Sequence, residues 1–163
     1  MIKSLLVGLL SATTGCGSFI TDVTDVLDAH KVEYRIVKEI PNHADAAGFF
    51  EFSTGIMYFD EDYIGLSGYN LQITAAHELI HKLRYDGGIM TDDPQLEEAI
   101  AVYGATQVAY LVGFGRVHYN KKQALIAALK ANNLEEKTLN MDQVMAEIDK
   151  TIELVRQFNR NKE

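Results

Sequence analysis

Residues 74–83, TAAHELIHKL, constrain the fold of this chain more than any other stretch of its sequence. In a helix, residues four apart lie on one face, so His77 and His81 would point the same way and could bind one metal ion. Glu78 would project beside them and reach a water molecule on that metal. The opposite face carries apolar residues: Ala75, Leu79 and Leu83. The pattern therefore predicts a helix with a metal site on one side and a hydrophobic core on the other.

A catalytic zinc site needs a third protein ligand and an open position. No third histidine follows at the short spacing HExxHxxGxxH. The next predicted helix, 94–113, has Asp93 as N-cap and Pro94 as its first residue. Near its start this helix carries two neighbouring carboxylates, Glu97 and Glu98. One of them would complete a ligand set of two histidines and one glutamate if the two helices cross.

This arrangement resembles the gluzincin metallopeptidases. The run EAIAVY, which begins at Glu98, is similar to their E-x-x-A-x-Y run, and residues 46–112 resemble the ImmA/IrrE-like minimal zincins, where a β-hairpin leads into a T-x-A-H-E-x-x-H helix. The resemblance implies a zinc metallopeptidase with one Zn²⁺ per chain, held by His77, His81 and Glu98. Glu78 would be the general base, and a zinc-bound water the nucleophile that hydrolyses peptide bonds of a protein or peptide substrate.

A second donor usually stabilises the transition state in such peptidases, and a gluzincin would use a histidine or a tyrosine for it. The sequence offers four candidates and does not choose among them: His118, Tyr110, Tyr103 and Tyr85. A further histidine, His43, lies in a predicted loop that could approach the site, but it is interpreted as a surface residue.

The remaining pattern predicts an α+β fold: a small zincin-like domain with a short antiparallel sheet or hairpin on four to five helices, including the HExxH helix. A strand is expected at 34–40, and two aromatic runs flanking Ser53-Thr54-Gly55 predict a hairpin over 48–59. Residues 47–52 would form an edge strand that aligns an extended peptide. The predicted helices span residues 19–30, 69–85, 94–113, 120–132 and 141–159.

The N-terminus has the residue order of an export signal. Lys3 precedes an apolar run at 5–10, and small residues lead to the single cysteine, Cys16. This ending resembles a bacterial lipoprotein signal, which implies a signal peptide over 1–15, lipidation of Cys16 and one domain over 16–163. The protein would then be an exported, membrane-anchored lipoprotein of the periplasm or cell surface. The alternative is a cytoplasmic protein in which residues 4–12 belong to the core.

Composition excludes several classes of protein. With 15 Lys+Arg against 23 Asp+Glu the net charge is −8, which would repel nucleic acid and argues against a nucleic-acid partner. One cysteine excludes an intrachain disulfide and a cysteine zinc cage.

Two other functions remain open at this point. One is an intracellular regulatory protease of the ImmA/IrrE type, although no segment is left over for a helix-turn-helix. The other is a non-catalytic zinc-binding module of a virion or secretion assembly. A scaffold has no need for Glu78, so the intact motif favours an enzyme.

Overall fold

The computed structural model describes residues 17–43, 46–62 and 68–161. Along the chain it contains α1 (Gly17–Ala29), β1 (Tyr34–Val37), β2 (Gly48–Glu51), β3 (Ile56–Asp60), α2 (Gly68–Asp86), α3 (Pro94–Val112), α4 (Lys121–Ala131) and α5 (Met141–Arg160). The α+β class and the predicted helices are confirmed. The predicted signal peptide and Cys16 lie outside the described residues. No described helix is both long and apolar enough to span a membrane.

The described sheet has the strand order β1-β3-β2. The hairpin pairs β2 with β3 in antiparallel register, Gly48 opposite Phe59, as predicted. The expectation of a purely antiparallel sheet is wrong, because β1 pairs with the other edge of β3 in parallel, Tyr34 opposite Met57. The chain between β1 and β2 crosses the sheet, and a strand pattern does not encode which edge its strand will join or in which direction. As a result, β2 is left at one edge of the sheet.

The two faces of the sheet bury different clusters. Phe50, Met57 and Phe59 belong to the main core, where β2 and β3 pack on α2. Ile40 and Tyr58 belong to a smaller cluster on the other face. This alternation follows from the period of two along a strand, and it fixes which residues of β2 face the HExxH helix.

Helix α3 lies at the centre of the molecule, packed against α2, α4 and α5. It is buried nearly all round, as its apolar sequence predicts. The Asp93 side chain caps it by accepting from two backbone amides, with Pro94 at its first turn. At Gly104 a Cβ atom would lie 3.2 Å from Cδ1 of Ile80 on α2. Glycine therefore permits the close crossing of α2 and α3, which brings the start of α3 to the HExxH residues.

Candidate metal centre

Helix α2 presents His77 and His81 on one face, as their spacing predicts. The two Nε2 atoms lie 3.1 Å apart, and the rings are inclined at 73°. His81 is buried and His77 is half-buried. Both donor nitrogens therefore point at one spot at the inner end of a cleft.

Glu98, in the second turn of α3, supplies the third donor. Its Oε2 lies 3.3 Å from Nε2 of His77, and its Oε1 lies 3.5 Å from Nε2 of His81. These three side chains are a group that can hold a metal ion. Tetrahedral zinc with bonds of about 2.0 Å needs neighbouring ligand atoms about 3.3 Å apart, so the donor set fits zinc in chemistry and in spacing.

The charge state of Glu98 also suits a ligand. Burial by itself would raise the pKa of this carboxyl. Hydrogen bonds and positive charge from His77 and His81 outweigh it and hold the pKa well below its ordinary value. Glu98 therefore remains a carboxylate, the form in which a glutamate binds a metal.

The neighbouring Glu97 points elsewhere. Its two oxygens accept from the fully buried guanidinium of Arg84, with both N–O distances 2.9 Å. The backbone N–H of Thr91 donates to the same carboxylate. Of the two glutamates left open by the sequence, the structure brings Glu98 to the histidines and commits Glu97 to a buried ion pair.

Glu78 lies beside the three donors and is only 6% exposed. Burial raises the pKa of its carboxyl to about 7, and the Glu98 charge adds to this, while His77 and a backbone hydrogen bond from Phe50 oppose it. A carboxylate with a pKa near neutrality can both accept and release a proton under ordinary conditions.

A cleft of about 330 Å³ opens onto these residues. One wall is β2, and the opposite wall is the face of α4 that carries Ala124, Ala127, Ala128 and Ala131. The cleft is therefore bounded by a strand edge and by small apolar side chains.

Two of the residues predicted to stabilise the transition state, Tyr110 and His118, do not line this cleft. Tyr110 is 55% exposed on α3 and lies against Arg116, and His118 is an exposed loop residue. Neither lines the cleft, and Tyr103 and Tyr85 do not line it either.

Sequence analysis did not single out Tyr119 and favoured a surface role for His43, but both line the cleft. The Tyr119 hydroxyl donates to the Val102 carbonyl, and the His43 ring stacks on Phe49 with centroids 3.8 Å apart. Both come from segments between elements, where no periodicity indicates a direction. The available signals were the loop position of His43 and the adjacency of Tyr119 to the candidate His118.

Comparison with known proteins finds no match: no family model fits the chain, and neither a curated protein nor a solved structure matches it significantly. The interpretation of the site therefore rests on its residues and their geometry.

Proposed function

We propose that this protein is a zinc-dependent metallopeptidase that hydrolyses peptide bonds in a protein or peptide substrate. One observation carries the proposal: the donor atoms of His77, His81 and Glu98 converge, with the two Nε2 atoms 3.1 Å apart and each of them 3.3–3.5 Å from one of the two Glu98 oxygens. They do so beside the buried carboxyl of Glu78, in a cleft with a strand edge along one wall. A non-catalytic site would need the ligands but not the neighbouring acid.

In the proposed reaction, the metal and the side chains of the protein have different roles. When bound to such a ligand set, zinc supplies Lewis acidity that makes water nucleophilic near neutral pH. Glu78 takes a proton from the attacking water and delivers it to the leaving amine. Its pKa of about 7 suits both steps, because neither protonation state is strongly disfavoured.

The walls of the cleft position the substrate. An extended peptide lies along β2 and gains main-chain hydrogen bonds from the strand edge, while side chains facing α4 meet its alanines. Tyr119 is our candidate for the second donor to the developing oxyanion. It lines the cleft and would exchange its bond to the Val102 carbonyl for one to the substrate.

The test compares the wild type with Glu78→Gln, and uses Glu153→Gln on the exposed face of α5 as a matched control. Zinc per chain is measured by elemental analysis, and cleavage of casein is followed for all three. We expect one zinc in each, with cleavage by the wild type and the control only. Zinc without any cleavage would favour a binding module, and absence of zinc would reject the ligand assignment.

A further inference from the structure

The sheet lies close against the HExxH helix at Gly48, the first residue of β2. A Cβ atom at this position would lie 2.4 Å from Cγ2 of Thr74, and 3.1 Å from both Cγ and Oε1 of Glu78. Real Cβ atoms essentially never come as close as 2.4 Å, so a side chain at 48 would force the Thr74 side chain, the strand or the helix to shift. Gly48 therefore sets the distance between β2 and the proposed general base.

The pairing of β2 shows where its main-chain groups point. The Asp60 amide donates to the Ala47 carbonyl. In an antiparallel pair every second residue bonds to the neighbouring strand, so Phe49 and Glu51 are the next residues of β2 that bond to β3. Gly48 and Phe50 fall between them, opposite Phe59 and Met57. Their N–H and C=O groups therefore point away from β3, toward the open edge.

At that edge the Phe50 amide already has a partner, because it donates a hydrogen bond to the Glu78 carboxylate. The Phe50 ring is buried in the main core, which fixes this amide in place. The strand thus holds the carboxylate through its backbone.

We propose that Gly48 is a positioning residue for Glu78. Having no side chain, it lets β2 lie directly on α2, where the Phe50 amide fixes the orientation of the carboxylate toward the three metal-binding side chains. The catalytic meaning of this contact rests on the proposed function, but the contact itself does not.

The contact also limits how a peptide pairs with β2. Since the Phe50 amide is committed to Glu78, the main-chain groups left for a substrate on the outward side are those of Gly48 and the Phe50 carbonyl. The substrate strand therefore registers against Gly48, directly beside the base.

Hydrogen exchange of the Phe50 amide tests the contact without any assay of activity. In ¹⁵N-labelled wild type we expect Phe50 to be protected, and we expect exchange to be at least about tenfold faster in Gly48→Ala and Glu78→Ala, because local opening no longer breaks that bond. The Tyr58 amide, which faces Phe49 in the ladder, is the internal reference and should stay protected. Gly87→Ala is the matched control, since its Cβ would meet Leu154 and the Leu83 carbonyl instead of the site, and should leave Phe50 unchanged.

A second variant separates orientation of Glu78 from a simple clash. Thr74→Ser removes the methyl group that a Cβ at 48 would meet, so Gly48→Ala/Thr74→Ser restores room for the strand and leaves only the contact with Glu78. We expect this double variant to recover the melting temperature of the wild type, but not the Phe50 protection. Protection retained in a folded variant carrying Gly48→Ala would overturn the proposal.

Steady-state kinetics test whether the contact between Gly48 and Glu78 affects catalysis. Gly48→Ala/Thr74→Ser should lower kcat about 10- to 100-fold, the cost of a misplaced group, with zinc content unchanged. A rise in KM with kcat unchanged would show that Gly48 acts on substrate binding independently of Glu78 and would contradict the proposal. Failure of the wild type to bind zinc or cleave would reject the proposed function, while the exchange result would still decide the contact.

Discussion

At the scale of single residues, the make-up of the candidate site depends on which of two adjacent glutamates, Glu97 or Glu98, faces the histidines. Successive residues of a helix are rotated by about 100°, so Glu97 and Glu98 cannot point at the same partner. Glu98 faces the histidines, whereas Glu97 faces Arg84. The same residue type is therefore a proposed ligand at one position and half of a buried ion pair at the next.

This difference gives paired predictions for two variants. Loss of a residue that only hydrogen-bonds to a metal ligand lowers metal affinity roughly 10- to 100-fold. Glu98→Gln should lower zinc affinity by more than this, because Glu98 is proposed to bind the metal directly. Glu97→Gln should retain zinc but lower the free energy of unfolding by about 3 kcal/mol, because it leaves the buried Arg84 without its closest countercharge. Zinc titration and urea unfolding measure the two effects. Equal zinc affinity in both variants would contradict the ligand assignment.

At the scale of elements, one buried arginine joins three helices. Arg84 of α2 is fully buried and binds Glu97 of α3 together with Glu147 and Thr151 of α5. Its Nη2 also donates to the Ile89 carbonyl. Because all these donors are satisfied at once, the network fixes how α3 crosses α2 and hence where Glu98 stands.

The α5 arm of this network predicts a pH dependence of stability. Lys150, with its Nζ 2.6 Å from Oε1, and Arg84, with its Nη2 3.0 Å from Oε2, hold the pKa of the Glu147 carboxyl below its ordinary value of 4.5. Because folding lowers this pKa, the ionised carboxylate stabilises the native state at pH values above the unfolded pKa. The stabilisation is lost as the pH falls through the lower native pKa.

Glu147→Gln should therefore lower the melting temperature at pH 7, and the difference from wild type should shrink below about pH 4.5. Melting is followed in the presence of a chelator, so that metal release does not contribute. The control is Glu153→Gln, whose ion pair with Arg156 is exposed and should contribute little at any pH. A difference that grows on acidification would contradict the sign of this effect.

At the scale of the whole molecule, the proposed metal site joins the two central helices. Its ligands come from α2 and α3, and the crossing of these helices is the centre of the fold. A metal that binds the native state and not the unfolded chain must stabilise that crossing.

Zinc at 100 times its dissociation constant should add about 2.7 kcal/mol to the free energy of unfolding. The melting temperature should then rise by several degrees and fall again with EDTA, as followed by circular dichroism. Glu98→Gln, tested at the same zinc concentration, should show a smaller rise. An unchanged melting temperature in the wild type would argue against zinc as a ligand of the folded state.

The export of the protein remains a proposal that rests on residues 1–16. If Cys16 is lipidated after removal of residues 1–15, full-length protein made in a bacterial host should partition into the detergent phase of Triton X-114. Cys16→Ser should partition into the aqueous phase. Intact mass identifies the processed form, and wild-type protein in the aqueous phase with its first 15 residues intact would support the cytoplasmic alternative.

The sequence by itself determined the parts of this protein that depend on local periodicity. The helical spacing of His77 and His81, the N-cap at Asp93 and the hairpin at Gly55 involve neighbours within a few residues, so their geometry can be read from the chain. The α+β class follows from the same patterns.

Tertiary structure decided everything that depends on which distant segments meet. The choice of Glu98 over Glu97, the parallel pairing of β1 and the approach of Tyr119 and His43 to the cleft all depend on how helices cross and where connecting segments run. The contact of Gly48 with Glu78 belongs with them, since it joins residues 30 positions apart. Packing fixes these contacts through shape and burial across the core, which no short stretch of sequence contains.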